Sequence, residues 1–399
     1  MQQAATDWVL ADVRLPDGAP ADLLLRGERI AAVGSGLAAA HPHAPRSDGH
    51  GHLVLPGLVD GHVHLDKTLT GLPWTPHPAG PTRASRIETE RRLRKELPPV
   101  AQRASNLVQR AIASGTSAIR THADVDPDIG LTHVHALLDV RARFAGRVHM
   151  QIVAFPQRGV ASLPGMAALL DAAIADGADL LGGIDPITFD GTPHAQYELL
   201  FEIATRRGCG IDVHLHDAGG DGLAEIAALA DYTTRHRLDG QVTVSHGFCL
   251  GAADDDALSR TAAAMAAARL SLVTHGGGAS PLPPVKRLRE LGVEVFAGND
   301  DVRDLWSPFG NGDMLERAML LAWRAGFRTD EDLALAFECA SGAGARVLGI
   351  DDHGLAPGCR ADLFTVAASG IGEAIAERPR RALVVHAGRV VARDGEVVQ

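Results

Sequence analysis

The sequence predicts an α/β protein: a (β/α)8 TIM-like barrel, with a small β-sandwich domain formed by the two chain ends. Eight short apolar or β-branched runs follow one another through residues 57–300. Helix-like segments separate these runs, whereas both chain ends carry short runs without such helices. Strands that alternate with helices form parallel βαβ units, and eight such units can close a barrel.

The strand candidates are short and bounded by turn residues. In chain order they are GLVDGHVHL, SAIRTHA, HMQIVAF, DLLGGID, GIDVHLH, QVTVSHG, LSLVTHG and VEVFAGND. Segments between them, such as MAALLDAAIADGA and QYELLFEIATRRG, repeat apolar residues every three or four positions among good helix formers. No GxGxxG motif follows a strand, which disfavours a dinucleotide-binding open sheet.

The two ends of the chain contain strand-like runs separated by tight turns, such as WVLADVRL near the start and RALVVHAGRVVARDGEVVQ at the end. We expect residues 1–56 and 354–399 to pair into the small β-sandwich domain. Residues 57–353 are then expected to form the barrel.

Composition limits the classes of function. The chain has 399 residues, of which 46% are hydrophobic and 4% aromatic, so it can bury a large aliphatic core. Its net charge of -11 is spread without a basic stripe, which argues against a nucleic-acid partner. The sequence begins without a signal-peptide pattern and has no long apolar run, so no membrane association is expected. Four scattered cysteines fit a cytoplasmic location.

Polar, ligand-capable side chains gather at the predicted carboxyl ends of the strands, where barrel enzymes place their sites. His62 and His64 lie two residues apart, so on a strand both face the same side, as in many metal sites. His214, His246 and Asp300 occupy other strand ends. Together they predict a site for one divalent metal ion, and their nitrogen and oxygen donors suit Zn²⁺ and Fe²⁺ equally.

These motifs also resemble a known family. The segments LPGLVDGHVHLDK, THADVD, QIVAFPQ, IDVHLHD, VSHG and GNDDVRDLWSPFGNGDML are similar to those of the amidohydrolase superfamily. They are most similar to its cytosine deaminase branch, which includes triazine-ring aminohydrolases. The resemblance covers almost the whole chain. It implies that His62, His64, His214 and Asp300 bind the metal, and that His246 coordinates it or bonds its water.

The lysines bear on the number of metal ions, because some members of this superfamily hold two metals bridged by a carboxylated lysine on the fourth strand. The lysines of this chain are Lys67, Lys95 and Lys286, and none lies on DLLGGID. We therefore expect a mononuclear site.

A divalent metal lowers the pKa of its bound water to about 7. Asp300 is expected to accept that proton, and the resulting hydroxide to attack a ring carbon that bears an amino group.

The resemblance implies that Asp217 is the proton shuttle, although this chain departs from the family at that position. The family has a glutamate at the position of Asp217, whose side chain is shorter by about 1.5 Å. Strand alternation would put Asp217 on the face opposite His214, so this role requires the strand to end near Leu215. The neighbouring His216 is open to several roles: support of the metal site, substrate contact or a plain surface position.

Other positions match substrate-binding residues of the family. Gln157 matches an amide that recognises the ring, Asp301 a second carboxylate that contacts substrate, and Trp306 an aromatic residue that stacks on the ring or walls the pocket. Asp66 and Lys67 are expected to form an ion pair at the rim.

Three hypotheses follow for function. The first is metal-dependent deamination of a small heterocycle of pyrimidine, aminotriazine or pterin type. The second keeps the metal and hydrolyses a cyclic amide or the C–N bond of an N-substituted amine. The third is a non-catalytic scaffold, in which some metal-binding positions would be expected to carry residues that cannot bind a metal. All five of these positions carry histidine or aspartate here. Homo-oligomers are common in this family, so a homo-oligomer is also possible for this chain.

Overall fold

The computed structural model describes residues 7–77, 80 and 82–398. In chain order, its strands β1 to β16 are Trp8–Arg14, Pro20–Arg26, Arg29–Gly34, Arg46–Pro56, Leu58–Val63, Thr116–Asp124, His149–Phe155, Leu180–Ile184, Gly210–Leu215, Val242–His246, Ser271–Thr274, Glu294–Ala297, Leu363–Val366, Arg381–His386, Arg389–Arg393 and Glu396–Val397.

The helices α1 to α15 are Leu37–Ala40, Arg83–Leu93, Val100–Ala113, Thr132–Arg143, Met166–Asp176, Pro186–Asp190, Pro193–Arg207, Gly219–His236, Phe248–Ala252, Asp255–Ala267, Val285–Glu290, Met314–Ala325, Asp330–Cys339, Gly342–Val347 and Ile371–Glu377. None of the described helices combines the length and apolar character needed to cross a membrane.

The predicted barrel is confirmed. Strands β5 to β12 form one sheet in chain order, and each is parallel to the next. Seven of the eight predicted runs contain one of these strands, and the eighth, SAIRTHA, lies within the longer strand β6. The first and last strands approach each other through a bridge between Val63 and Asp300, so the barrel is nearly closed.

The chain ends join into one β unit, as predicted. Its strands form a mixed sheet in the order β16, β15, β14, β13, β4, β1, β2, β3. The N-terminal strand β4 pairs antiparallel with the C-terminal strand β13, so the two ends meet at the middle of the sheet. The proposed division at residues 57 and 353 stays a prediction.

Two glycines allow β5 and β12 to approach closely where the barrel closes. A Cβ at Gly298 would lie 2.5 Å from the His62 amide nitrogen and 2.6 Å from its carbonyl oxygen. A Cβ at Gly61 would lie 2.3 Å from the ring of Phe296. Real Cβ atoms do not come so near to other heavy atoms, so side chains at either position would force the strands apart.

Candidate metal centre and substrate pocket

The structure brings all five predicted metal ligands together at the carboxyl ends of the barrel strands. His62 lies on β5 with His64 just beyond it, His214 on β9, His246 at the end of β10 and Asp300 after β12. The Asp300 carboxylate is 3.3 Å from His62 Nε2 and 3.5 Å from His64 Nε2. The ligand atoms of His62, His214 and His246 lie within 4.8 Å of one another. Both sets of contacts include His62, so the five donors form one cluster.

The charge state of these groups suits a cation. Burial lowers the pKa of His64 to about 3 and lowers the pKa values of His214 and His246 well below the usual range, so the imidazoles are neutral. Burial alone would raise the pKa of Asp300, but the surrounding His246 and His62 hold it well below its usual value. Neutral imidazoles and a carboxylate are the protonation states that bind divalent metals.

The orientation of the rings also fits a metal. His64 Nε2 and His214 Nε2 face each other at 3.3 Å. Each neutral imidazole carries a lone pair on one of its two ring nitrogens, and that nitrogen can bind a metal. His62 Nε2 is buried without a hydrogen-bond partner in the described structure. A divalent cation would bind the nitrogen lone pairs gathered here, so the residues present fit such an ion.

A chain of hydrogen bonds fixes the His62 ring. The ring nitrogen Nδ1 lies 2.9 Å from Ser245 Oγ, and that hydroxyl donates to Asp212 Oδ1 at 2.5 Å. This contact leaves His62 Nε2 free to face Asp300. Such support orients metal-binding histidines and raises their basicity.

His246 and Asp300 adopt left-handed backbone conformations, with φ of 74° and 62°. Residues other than glycine pay about 1–3 kcal/mol for such a conformation, which persists only where surrounding structure imposes it. The strain falls on two of the predicted ligands, as is common at functional sites.

A small cavity of about 50 Å³ lies beside the cluster. The predicted substrate residues Gln157, Asp301 and Trp306 line it together with His64, His214, His246 and Asp300. The cavity therefore places polar and aromatic side chains directly beside the candidate metal ligands. Burial and the nearby carboxylates of Asp304 and Asp300 raise the pKa of Asp301 well above its usual value. A neutral Asp301 can donate a hydrogen bond as well as accept one.

Helix α2 contributes a residue that sequence reasoning missed. Glu90 accepts hydrogen bonds from Lys67 Nζ, Gln157 Nε2 and Trp306 Nε1, and it is only 4% exposed. Lys67 also contacts Asp124 at 2.8 Å. The expected rim pair of Asp66 with Lys67 is therefore corrected.

The Asp66 carboxylate contacts His133 Nδ1 at 2.7 Å and accepts a hydrogen bond from the Asp124 amide at 2.9 Å, rather than pairing with Lys67. The Asp124 and Glu90 carboxylates are better placed for the lysine, because its ammonium group points towards both.

The residues after β9 are arranged differently from the expectation for Asp217. Strand β9 does end at Leu215, as that role requires, but the Asp217 carboxylate bonds Arg83 Nη2 at 2.8 Å and the Thr188 hydroxyl at 2.7 Å. Asp217 is not among the residues that line the cavity, whereas His216 and Arg83 are. The carboxylate therefore engages a neighbouring polar cluster, and its role as a shuttle stays a prediction.

His216 is held firmly in the cavity wall. Its Nδ1 lies 2.9 Å from Asp185 Oδ2, its amide donates to Asp185 Oδ1 at 2.5 Å, and its ring stacks on His246 at 4.4 Å between centroids. Asp185 is fully buried and is also bonded by Arg83. Asp185 ends the run DLLGGID, so the strand-end argument that found the metal ligands could also have found it.

The family assignment rests on comparison with known proteins. The sequence profile described as "Amidohydrolase family" matches residues 78–399, which is most of the chain. The chain belongs to the amidohydrolase family.

Relatives of this amidohydrolase are similar over almost their full length. N-isopropylammelide isopropyl amidohydrolase of Pseudomonas sp. strain ADP is 32% identical over 88% of this chain and 89% of its own. The crystal structure of N-isopropylammelide isopropylaminohydrolase from Burkholderia multivorans ATCC 17616 is 44% identical, with a TM-score of 0.95 and coverage of 98% and 100% of the two chains. A 5-methylcytosine deaminase from Klebsiella pneumoniae, liganded with phosphonocytosine, is 26% identical with a TM-score of 0.84 over 98% and 99%.

Proposed function

We propose that this amidohydrolase hydrolyses the C–N bond between a small nitrogen heterocycle and a substituted amine. The observation that carries the proposal is the convergence of five candidate metal ligands beside a cavity lined by Gln157, Asp301 and Trp306. The two relatives named after N-isopropylammelide support a substituted amine as the leaving group.

The metal would be held by His62, His64, His214 and Asp300, with His246 beside them. A divalent ion in that position supplies Lewis acidity, which makes water nucleophilic near neutral pH. The donor set does not separate zinc from iron.

The protein's own groups would position and move protons around the substrate. The Asp300 carboxylate lies among the ligand nitrogens and can accept a proton from the attacking water. Because Asp185 occupies His216 Nδ1, the opposite nitrogen, Nε2, is left to hydrogen-bond a ligand in the cavity. In its protonated form His216 can give the Nε2 proton to the departing amine, and the proton that Asp300 accepts from water replaces it after the C–N bond breaks. Gln157 and Trp306 would orient the ring.

The proposal is tested by measuring the released amine. Zinc- and iron-loaded protein would be incubated with N-isopropylammelide and with the same ring bearing an unsubstituted amino group, and alkylamine and ammonia would be quantified. We expect faster release of alkylamine, and none from the His214→Ala variant. Intact substrates in all reactions would refute the proposal, as would unchanged metal content and turnover in His214→Ala.

Deamination is the second candidate, and the likeness to 5-methylcytosine deaminase favours it. Release of ammonia from cytosine, a pterin or an aminotriazine, at rates exceeding those of the N-alkylated rings, would assign this activity instead. The same metal centre would serve both reactions, so the leaving group distinguishes them.

A further inference from the structure

Glu90 is a buried acid on a helix whose sequence is otherwise typical of a solvent-exposed surface. Helix α2 reads RASRIETERRL, and its neighbouring acid Glu88 has a side chain 73% exposed and paired with Arg91. Glu90 faces inward instead, next to the cavity, where a charged carboxylate requires several hydrogen-bond donors.

Those donors come from three residues on different strand ends. Trp306 Nε1 donates to Glu90 Oε2 at 2.6 Å, Gln157 Nε2 donates to the same oxygen at 3.2 Å, and Lys67 Nζ donates to Oε1 at 3.0 Å. All three donors line the cavity, but Glu90 itself does not. One carboxylate therefore sets the orientation of three pocket side chains without being part of the cavity wall.

The contact with Gln157 has a directional consequence. A carboxylate only accepts hydrogen bonds, so the amide NH₂ of Gln157 must face Glu90, and the reverse orientation would place two oxygens together. The carbonyl oxygen Oε1 then points away from Glu90. Within the described part of the chain no donor contacts Oε1, and Oε1 is not one of the buried polar atoms that lack a partner, so it keeps some exposure. Because Gln157 lines the cavity, this oxygen is available to accept a hydrogen bond from a ligand there.

We infer that Glu90 is a positioning residue that makes Gln157 an obligatory acceptor, so that the pocket selects heterocycles with a ring N–H on the recognised edge. This inference deepens the proposed function and rests on its pocket. A lactam edge, –NH–C(=O)–, satisfies Gln157 Oε1, whereas a C–H or an unprotonated ring nitrogen leaves that oxygen desolvated without a partner.

Ring analogues of equal shape test the inference. Uracil carries two ring N–H groups, and its 1-deaza and 3-deaza analogues each replace one of them with C–H. Binding to zinc-loaded protein would be measured by calorimetry. We expect the wild type to bind uracil about tenfold more tightly than at least one deaza analogue, as one lost hydrogen bond implies. Glu90→Gln should reduce that ratio to about twofold or less, because a carboxamide can donate as well as accept and lets Gln157 turn.

Matched variants separate positioning from general damage. Glu88→Gln makes the same chemical change on the exposed face of the same helix and should keep the wild-type ratio. Gln157→Ala should remove the ratio, and adding Glu90→Gln to it should change nothing further. A purely structural role for Glu90 would weaken all three rings equally and leave the ratio intact. Melting curves would confirm that each variant is folded.

The inference is wrong if the wild type binds the three rings equally or binds none of them, or if Glu90→Gln retains the wild-type ratio. Binding requires no turnover, so absence of amine release would refute the proposed function without affecting this result. Conversely, equal binding of the three rings would refute this inference, but an observed release of amine would still support the proposed function.

Discussion

The backbone amide of Asp300 donates to the carbonyl oxygen of His62 at 2.7 Å, while the side chains of the same two residues lie 3.3 Å apart. The contact that brings the last barrel strand to the first therefore also places two candidate metal ligands side by side. Barrel closure and the geometry of the metal centre depend on the same few residues.

Gly298→Ala should damage both properties. The new Cβ would meet the His62 backbone at 2.5–2.6 Å, which neither strand can accommodate without moving. We expect a loss of about 1–3 kcal/mol in the free energy of unfolding, seen as a lower melting temperature, together with weaker zinc binding. Gly220→Ala is the control, because nothing lies within 4 Å of a Cβ there. Equal stability and zinc affinity in the two variants would contradict this account of closure.

Removal of one ligand should abolish metal binding without unfolding the protein. His214→Ala deletes an imidazole from the centre of the cluster, and we expect zinc affinity to fall at least about a hundredfold. Added zinc should raise the melting temperature of the wild type, since a ligand that binds only the folded state stabilises it, but not that of the variant. The exposed His135→Ala is the control. A variant that still binds one zinc per chain would exclude His214 as a ligand.

The strand-end residues could be predicted because two simple regularities determine them. Residues two apart on a strand share a face, which places His62 and His64 together, and the carboxyl ends of barrel strands converge. The same regularities located His214, His246 and Asp300. No similar rule governs the segment between β5 and β6, which supplies α2.

Arg83 and Glu90 were missed for that reason. Their helix is so rich in charge that its sequence is typical of a solvated surface, and no periodicity shows that it packs beside a cavity. Its inward orientation depends on partners distant in sequence, such as Trp306 and Asp185, whose positions only the folded barrel reveals.

Two variants determine which group serves the leaving amine. Asp185→Asn keeps the shape of the side chain but removes the charge that holds His216 Nδ1, so the ring should lose its fixed orientation. We expect kcat to fall about 10- to 100-fold, less than the loss of an acid–base group itself would cause because His216 remains present, with zinc content unchanged. Asp217→Asn should lower kcat less than about threefold, because its carboxylate contacts Arg83 and Thr188. A larger effect of Asp217→Asn would restore Asp217 as the shuttle.

Glu225 should make stability depend on pH. Burial, with the Asp217 and Asp185 charges nearby, raises the pKa of Glu225 to about 8, above its unfolded value near 4.5. The folded state therefore holds a proton that the unfolded state has lost, and this contribution is full below pH 4.5 and disappears as pH rises through 8. Glu225→Gln should leave the melting temperature nearly unchanged at pH 5. At pH 8.5 it should stabilise the fold by about 2 kcal/mol.

The neutral glutamine can still accept the Ile187 amide hydrogen bond that Glu225 Oε1 accepts at 2.9 Å, so the change isolates the charge. Glu202→Gln on the exposed face of α7 is the matched control and should shift neither melting curve. Parallel pH profiles for wild type and Glu225→Gln would mean that Glu225 ionises normally in the folded protein. In that case, the Asp217 carboxylate would have a second ionised acid beside it at neutral pH, and Arg83 alone could not neutralise the pair together with Asp185.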